Sequence, residues 1–438
     1  MFGVRLSSSR SKRKFALVCL LTMAVASPVT LFGIGKKKKA AYAPQPSILE
    51  KLDYSKIVWP RPPDIARLKY TTYYSGEKID YGTDKKKKEK WMDRVAGTTL
   101  ETDQVKMRFA LNEPYGMAVD SKGNLYVADV KVGGIFIFNT ETKDLEIIKN
   151  GSQAHFSRII GLAIDETDRL FVADNELHHV LIFNAKHEVE ASVTEGLVRP
   201  GGVAVDIKNR ILYVSDSELD QVLAYDADTL KLLRKMGTTG QKHSLTTPGD
   251  FAEPGGMAVD QKGNLYVADT LNNRIEVFDP DGGFLSTFGK NGDGPSDFAR
   301  PKGVAIDGDG HIWVSDGVQN RIKAFDKKWR LLLFIGGMGN LPGQFSALCG
   351  ITIDKQNRVF TSEMYPGRVQ QFLYIDDAKA TDEKARRQAV LDKKAGIKTV
   401  TPVAAPVVKP ADATPVKPAD AGAVKDSAPA KGQDSAVK

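Results

Sequence analysis

The chain has 438 residues, 42% apolar and 26% charged, with a formal net charge of +8. That balance is ordinary for a globular protein and allows a sizeable buried core, in one large domain or two or three smaller ones. Two cysteines far apart, Cys19 and Cys349, exclude a disulfide framework and a cysteine metal site.

Composition shifts along the chain. Residues 1–14 carry Arg5, Arg10, Lys12, Arg13 and Lys14; the apolar run "FALVCLLTMAVASPVTLFGIG" follows over 15–35, and four lysines close it at 36–39. At the helical rise this run reaches about 30 Å, enough to cross the core of a bilayer. It predicts a signal peptide or signal-anchor transmembrane helix within residues 1–45. The chain is then expected in the cell envelope, on the extracytoplasmic side, anchored to the inner membrane or secreted after cleavage. Cleavage sites are on offer in "AVA" at 24–26 and "AYA" at 41–43. Val18 stands where a lipidated cysteine needs a small residue, which argues against a lipid anchor at Cys19. Further on, "IARLKYTTYYSG" at 65–76 alternates Leu68, Tyr70, Thr72 and Tyr74 in the manner of a strand.

Six copies of one motif, G-x-A-x-D, then follow. Their glycines are Gly116, Gly161, Gly202, Gly256, Gly303 and Gly350, spaced 41 to 54 residues apart. Four residues after each glycine comes an acid: Asp120, Asp165, Asp206, Asp260, Asp307 and Asp354. A second acid lies nine or ten further on, at Asp129, Asp174, Asp216, Asp269, Asp316 and Glu363. Such a period, filled with short β-rich segments, predicts a β-propeller rather than a helical solenoid. In the fourth copy "GMAVD", "LYVAD" and "RIEVF" are three strands joined by the turns "QKGN" and "TLNN", and "GGFLSTFG" is a fourth. Asp260 and Gly263 suit the first turn, and Ala118, Ala163, Ala204, Ala258 and Ala305 are expected to let the innermost strands crowd the axis. Phe156, Phe251, Phe298 and Phe345 each precede a glycine by five residues and are expected to wedge between blades.

The fold class is therefore all-β, a six-bladed propeller of four-stranded antiparallel blades over residues 60–375, with blades starting near 112, 157, 198, 252, 299 and 346. The last repeat lacks an outer strand, so 65–76 is expected to supply it and close the ring. A short charged helix is predicted over 376–396, and a disordered Ala/Pro/Lys-rich tail over 397–438.

"LNNRI" at 271–275, "VQNRI" at 318–322 and the degenerate "LHHVLIF" at 177–183, with the P-x-G-x-A-x-D pattern, resemble NHL repeats over about residues 105–375. "WPRPPD" at 59–64 is similar to the leading segment of exported bacterial NHL-repeat proteins. The resemblance implies the six-bladed fold. It also opens two functional alternatives, because some NHL-like propellers are zinc-dependent lyases and NHL domains in animal proteins can bind nucleic acid.

The residues favour neither alternative. One acid per blade at a repeated turn is what a shared folding requirement produces, so Asp129 to Glu363 are expected to cap backbone amides. The six histidines, His155, His178, His179, His187, His243 and His311, do not recur at one repeat position as an axial zinc set would. "DGDG" at 307–310 reads as a turn, and no nucleophile, zinc-helix or phosphate-loop motif is present. No catalytic residue, metal or cofactor is expected. Residues 112–375 hold 27 Lys and Arg against 35 Asp and Glu, a net of −8, so nucleic acid is not expected as a partner. The positive charge lies in the arms, including "KKKKEK" at 85–90.

The turns between the first and second strands are near uniform, whereas those between the second and third differ from blade to blade, and the insertion "TTGQKHSLTTPGD" (238–250) precedes blade four. These two sets define a lower and an upper rim. Loops carry specificity on a regular framework, so the upper rim is the expected binding face, with Tyr115, Asn175, His178, His179, Asn273, Asn320 and Tyr365 as candidate contacts. The expected function is a non-enzymatic protein-binding or assembly scaffold for another envelope protein. The alternatives are a propeller lyase or hydrolase with an axial metal site and an NHL-type nucleic-acid binder.

Overall fold

A computed structural model of the chain describes residues 52–76, 109–151, 154–238 and 246–394, all within one compact unit. The apolar run at 15–35, the basic stretch at 85–90, His243 and the tail at 397–438 lie outside the described residues. Among the described residues no helix is long and apolar enough to cross a membrane.

Six antiparallel sheets follow one another in sequence, and each innermost strand contacts the innermost strand of the next blade. These strands are Pro114–Val119, Ile159–Ile164, Pro200–Asp206, Pro254–Val259, Pro301–Ile306 and Leu348–Ile353. The sixth meets the first, so the ring is closed. Within blade four, Pro254–Val259 pairs with Leu265–Asp269, which pairs with Arg274–Phe278, which pairs with Phe284–Phe288. Blades one, two, three and five repeat this order.

Blade six is completed from the other end of the chain. Leu68–Tyr74 pairs antiparallel with Arg368–Tyr374, setting Tyr70 opposite Phe372 and Tyr74 opposite Val369. A fifth strand, Val58–Trp59, then adds outside it, with Trp59 opposite Leu68. The sequence pattern did not predict this strand: two residues are too few for alternation to register. Trp59 holds it in place by lying edge-on to Phe372, with ring centroids 5.8 Å apart.

Crowding at the axis depends on the motif glycines more than on its alanines. A Cβ on Gly350 would stand 2.5 Å from the Tyr115 carbonyl oxygen, and one on Gly256 2.8 Å from that of Lys302. Gly116, Gly161 and Gly202 press still closer on the carbonyls of Ile160, Gly201 and Gly255. Only a residue without a side chain permits that approach. Serines stitch three of the six junctions: the Ser215, Ser315 and Ser362 hydroxyls donate to the Gly255, Cys349 and Tyr115 carbonyls at 2.9, 2.7 and 2.5 Å. Blades one, two and four carry Ala128, Ala173 and Ala268 at the same position.

The core is divided among the interfaces between blades. Phe156, Phe251, Phe298 and Phe345 are buried, each in a cluster drawn from two neighbouring blades. Leu111 and Leu197 fill the same position at the other two interfaces. One large apolar residue per junction, removed from water at about 2 kcal/mol each, gives every interface a comparable hydrophobic contribution. After blade six, helix α1 (Asp377–Lys394) is fixed to the closing segment, with Arg67 and Asp377 2.6 Å apart and Arg387 donating to the Asp64 carbonyl at 3.2 Å.

Candidate functional site

The two rings of acids are consumed by the backbone. On the lower rim Asp120 accepts from the Lys122 and Asn124 amides at 3.0 and 2.7 Å, and Asp260 does the same for Lys262 and Asn264. The second acids, all fully buried, do more. Asp174 accepts from the amides of Ser157 (2.6 Å), Arg158 (3.0 Å), Glu176 (3.1 Å) and Leu177 (3.0 Å). It thus ties the loop leading into blade two to that blade's own upper turn. Asp129, Asp216 and Asp316 make the same four-amide arrangement. A carboxylate whose lone pairs are taken by amides supplies neither a base nor a ligand.

The exceptions use side chains. Asp269 accepts from Ala252 N, Asn272 and Arg274, and Glu363 from Ser346 N, Arg368 and Gln370. Burial raises the pKa of both acids. Arg274, the arginine of "LNNRI", donates onward to the carbonyls of Thr246 (2.7 Å), Thr247 (3.0 Å) and Asp250 (2.8 Å), and its guanidinium lies 2.8 Å from buried Glu276. Arg368 serves blade six in the same way through Asn340 and Gln344. In blade five the buried Lys323 takes this role and donates to the Asp297 carbonyl. In blades four and six the basic residue of the repeat anchors a loop.

The upper turns obey a conformational rule that their varied spelling conceals. The residue four places after each second acid has a positive φ: Gly133 (63°), His178 (56°), Asp220 (53°), Asn273 (56°), Asn320 (50°) and Gly367 (79°). Gly, Asn, Asp and His are the residues that tolerate this region. Part of the variation on the upper rim is therefore turn chemistry.

The structure separates the seven candidate contacts into three groups. Asn175 and Asn320, both candidate rim contacts, are buried, at 5% and 7% exposure, so neither side chain is open on the rim surface. The Asn175 amide donates to the Pro200 carbonyl at 3.1 Å, and the Asn320 Oδ1 accepts from Leu348 N at 3.2 Å, so each binds its blade to the next. Asn273 is half-buried and donates to the Leu271 carbonyl within its own turn. His178 is exposed and its Nδ1 donates to the Val198 carbonyl, while burial lowers the pKa of half-buried His179. Tyr365 is open to solvent, at 62% exposure. Two residues that sequence reasoning missed stand on the same rim: Val318 at 60% and Val132 at 39%. The available signal was an apolar residue inside a polar turn. Blades five, six and one are consecutive, so these three side chains occupy one arc.

Tyr115 belongs elsewhere. With Asn175 it lines a cavity of about 330 Å³ at the upper end of the axis. A girdle of six apolar residues, one per blade (Met117, Leu162, Val203, Met257, Val304 and Ile351), also lines a second cavity of about 320 Å³ at the lower end. The upper mouth carries Arg158, Arg199, Arg300, Lys302 and Glu253. Lys302 lies 5.7 Å from the centre of the Tyr115 ring. Cys349, on the wall, is fully buried, and burial pushes its thiol up to about 11. The remaining described histidines are spread out. His187 bonds the Tyr126 hydroxyl at 2.8 Å, and His311 bonds Asp307 at 2.9 Å, which raises its pKa. His155 is exposed in the loop before blade two. Among the described residues no group of three His, Cys, Asp or Glu side chains is placed to hold a metal ion.

A family model described as "SMP-30/Gluconolactonase/LRE-like region" matches residues 172–290, and one described as "6-bladed beta-propeller" matches 257–326. NHL repeat-containing protein 2 of Gallus gallus is 34% identical over 101 residues, 22% of this chain and 14% of that protein. Its Homo sapiens counterpart is 39% identical over 88 residues, 19% of this chain and 12% of that protein. The chain thus spans only about an eighth of the length of these relatives. Among solved structures, virginiamycin B lyase of Staphylococcus aureus aligns with a TM-score of 0.45 and 14% identity, over 60% of this chain and 96% of that one.

Proposed function

Taking the chain as an SGL/NHL-like six-bladed propeller, we propose that it is a non-enzymatic binding scaffold whose upper rim docks another protein of the cell envelope. The observation that carries this reading is the exposed arc of Tyr365, Val318 and Val132 on three consecutive blades. Apolar side chains raised from polar turns gain little for folding, and an aromatic among them is the residue type that anchors protein interfaces. The buried acids support a non-catalytic reading, since their lone pairs hold the framework. The apolar run at 15–35 between basic flanks would export or tether the propeller, and with a net charge of −8 over 112–375 the partner is a protein rather than a nucleic acid.

The test is crosslinking in intact cells followed by recovery of the tagged protein and its partner. Tyr365→Ala with Val318→Ser should reduce recovery of the partner several-fold and leave the melting temperature within about 1 °C, because both side chains are exposed. Lys122→Ala with Lys262→Ala, on the lower rim, should leave recovery unchanged. The opposite ranking would place the interface on the other face and defeat the proposal.

A further inference from the structure

We propose that the upper axial cavity binds a small organic anion, a molecule with an apolar body and a phosphate or carboxylate head. This is separate from protein docking on the rim. The cavity, at about 330 Å³, has the size of a small-molecule site. Its deep end is the apolar girdle and its mouth is cationic: Arg158, Arg199, Arg300 and Lys302 against Glu253. That excess stands on a propeller whose overall charge is −8 over 112–375.

Placement makes the excess chemically specific. Arg158 opens blade two and Arg300 opens blade five, which face each other across a six-bladed ring. Both occupy the same repeat position, just before the innermost strand, where blades one and four carry Glu113 and Glu253 and blade six carries Ala347. Glu113 is matched by Lys131 at 3.8 Å, and Arg199 by Glu218 at 3.8 Å. Among the described residues Arg158, Arg300 and Lys302 have no carboxylate within ion-pair distance. Three unpaired cations held around one concavity repel each other, and an anion that enters relieves this while making charge-assisted hydrogen bonds. Tyr115, with Lys302 near its ring, adds an aromatic wall for the apolar body.

The experiment is calorimetric titration of the purified full-length protein at low salt with phenyl phosphate and 3-phenylpropionate, and with benzyl alcohol and benzyltrimethylammonium as neutral and cationic controls. Both anions should bind saturably with Kd on the order of 1 mM or tighter, and neither control should. Added salt should weaken the binding. Arg158→Gln with Arg300→Gln should raise Kd about tenfold or more at an unchanged melting temperature, since both side chains are exposed and only their backbone amides hold Asp174 and Asp316. No saturable binding of either anion, equal binding of benzyl alcohol, or undiminished binding by the double variant would each overturn the proposal. So would an oligouridylate that binds more tightly than phenyl phosphate and loses affinity in the same variant, which would assign the face to nucleic acid.

Discussion

Replacing Asp174 by Ala tests whether the buried acids are framework rather than chemistry. The carboxylate is fully buried and accepts four amides at 2.6–3.1 Å. A hydrogen bond to a charged group is worth about 1.5–3 kcal/mol net, so four sum to about 6–12 kcal/mol as an upper bound. Ser157, Arg158 and Glu176 are exposed, so water can replace part of what their amides lose. A loss of about 3–5 kcal/mol is expected, at the high end for a single substitution. Asp174→Asn can keep its oxygen toward the Arg158, Glu176 and Leu177 amides and turns a donor toward the Ser157 amide alone, so it should cost about 2–3 kcal/mol. For a propeller of this size about 1–2 °C of melting temperature corresponds to each kcal/mol. Differential scanning calorimetry should therefore place the Ala variant about 3–10 °C below the parent, with Asn between them. Asp129→Ala should behave alike, because its carboxylate holds the same four kinds of amide. A shift under about 1 °C for Asp174→Ala would show that the amides are satisfied without it.

Two further outcomes follow from the packing. Deleting residues 1–80 removes both outer strands of blade six and should give aggregates on size exclusion, whereas deleting 1–45 should give a monodisperse folded protein; equal behaviour would refute closure by Leu68–Tyr74. Burial pushes Glu276 up to about 8 although Arg274 stands beside it. Its folded pKa lies above its unfolded value, so the folded state holds the extra proton between about pH 4.5 and 8 and loses stability as pH rises through that window. Glu276→Gln should flatten that fall in urea midpoints from pH 5 to 8, and an unchanged slope would show that Glu276 is not its source.

Much of this architecture is legible in the sequence, and the reason is repetition. Six chemical copies of one turn made Asp120 and its equivalents stand out, and the missing outer strand of the last copy pointed back to residues 65–76. The two leucines among the junction wedges went unseen because Leu111 and Leu197 do not spell the aromatic of the other four. The sequence pattern points to the motif alanines as what lets the strands crowd the axis, whereas the glycines two residues before them permit the close approach by having no side chain. The binding face was less legible. Asn175 and Asn320 look like surface residues by type, yet each spends its amide on the neighbouring blade. Arg158 and Arg300 gave no signal in linear order, since only the circular arrangement sets them on opposite walls of one cavity.

The closing strand also sets an order of events. Thr71 and Gln371, which meet in blade six, are 300 residues apart. A ribosome adding about 5–20 residues per second needs roughly 15–60 s to pass from one to the other. For all that time Leu68–Tyr74 has no edge to join, and blades one to five can assemble only as an open arc. The ring locks last, by a contact of extreme sequence separation, so closure is the slow step that topology imposes. Until then the strand "LKYTTYY", apolar and aromatic on alternate positions, is the part of the young chain with most need of a chaperone.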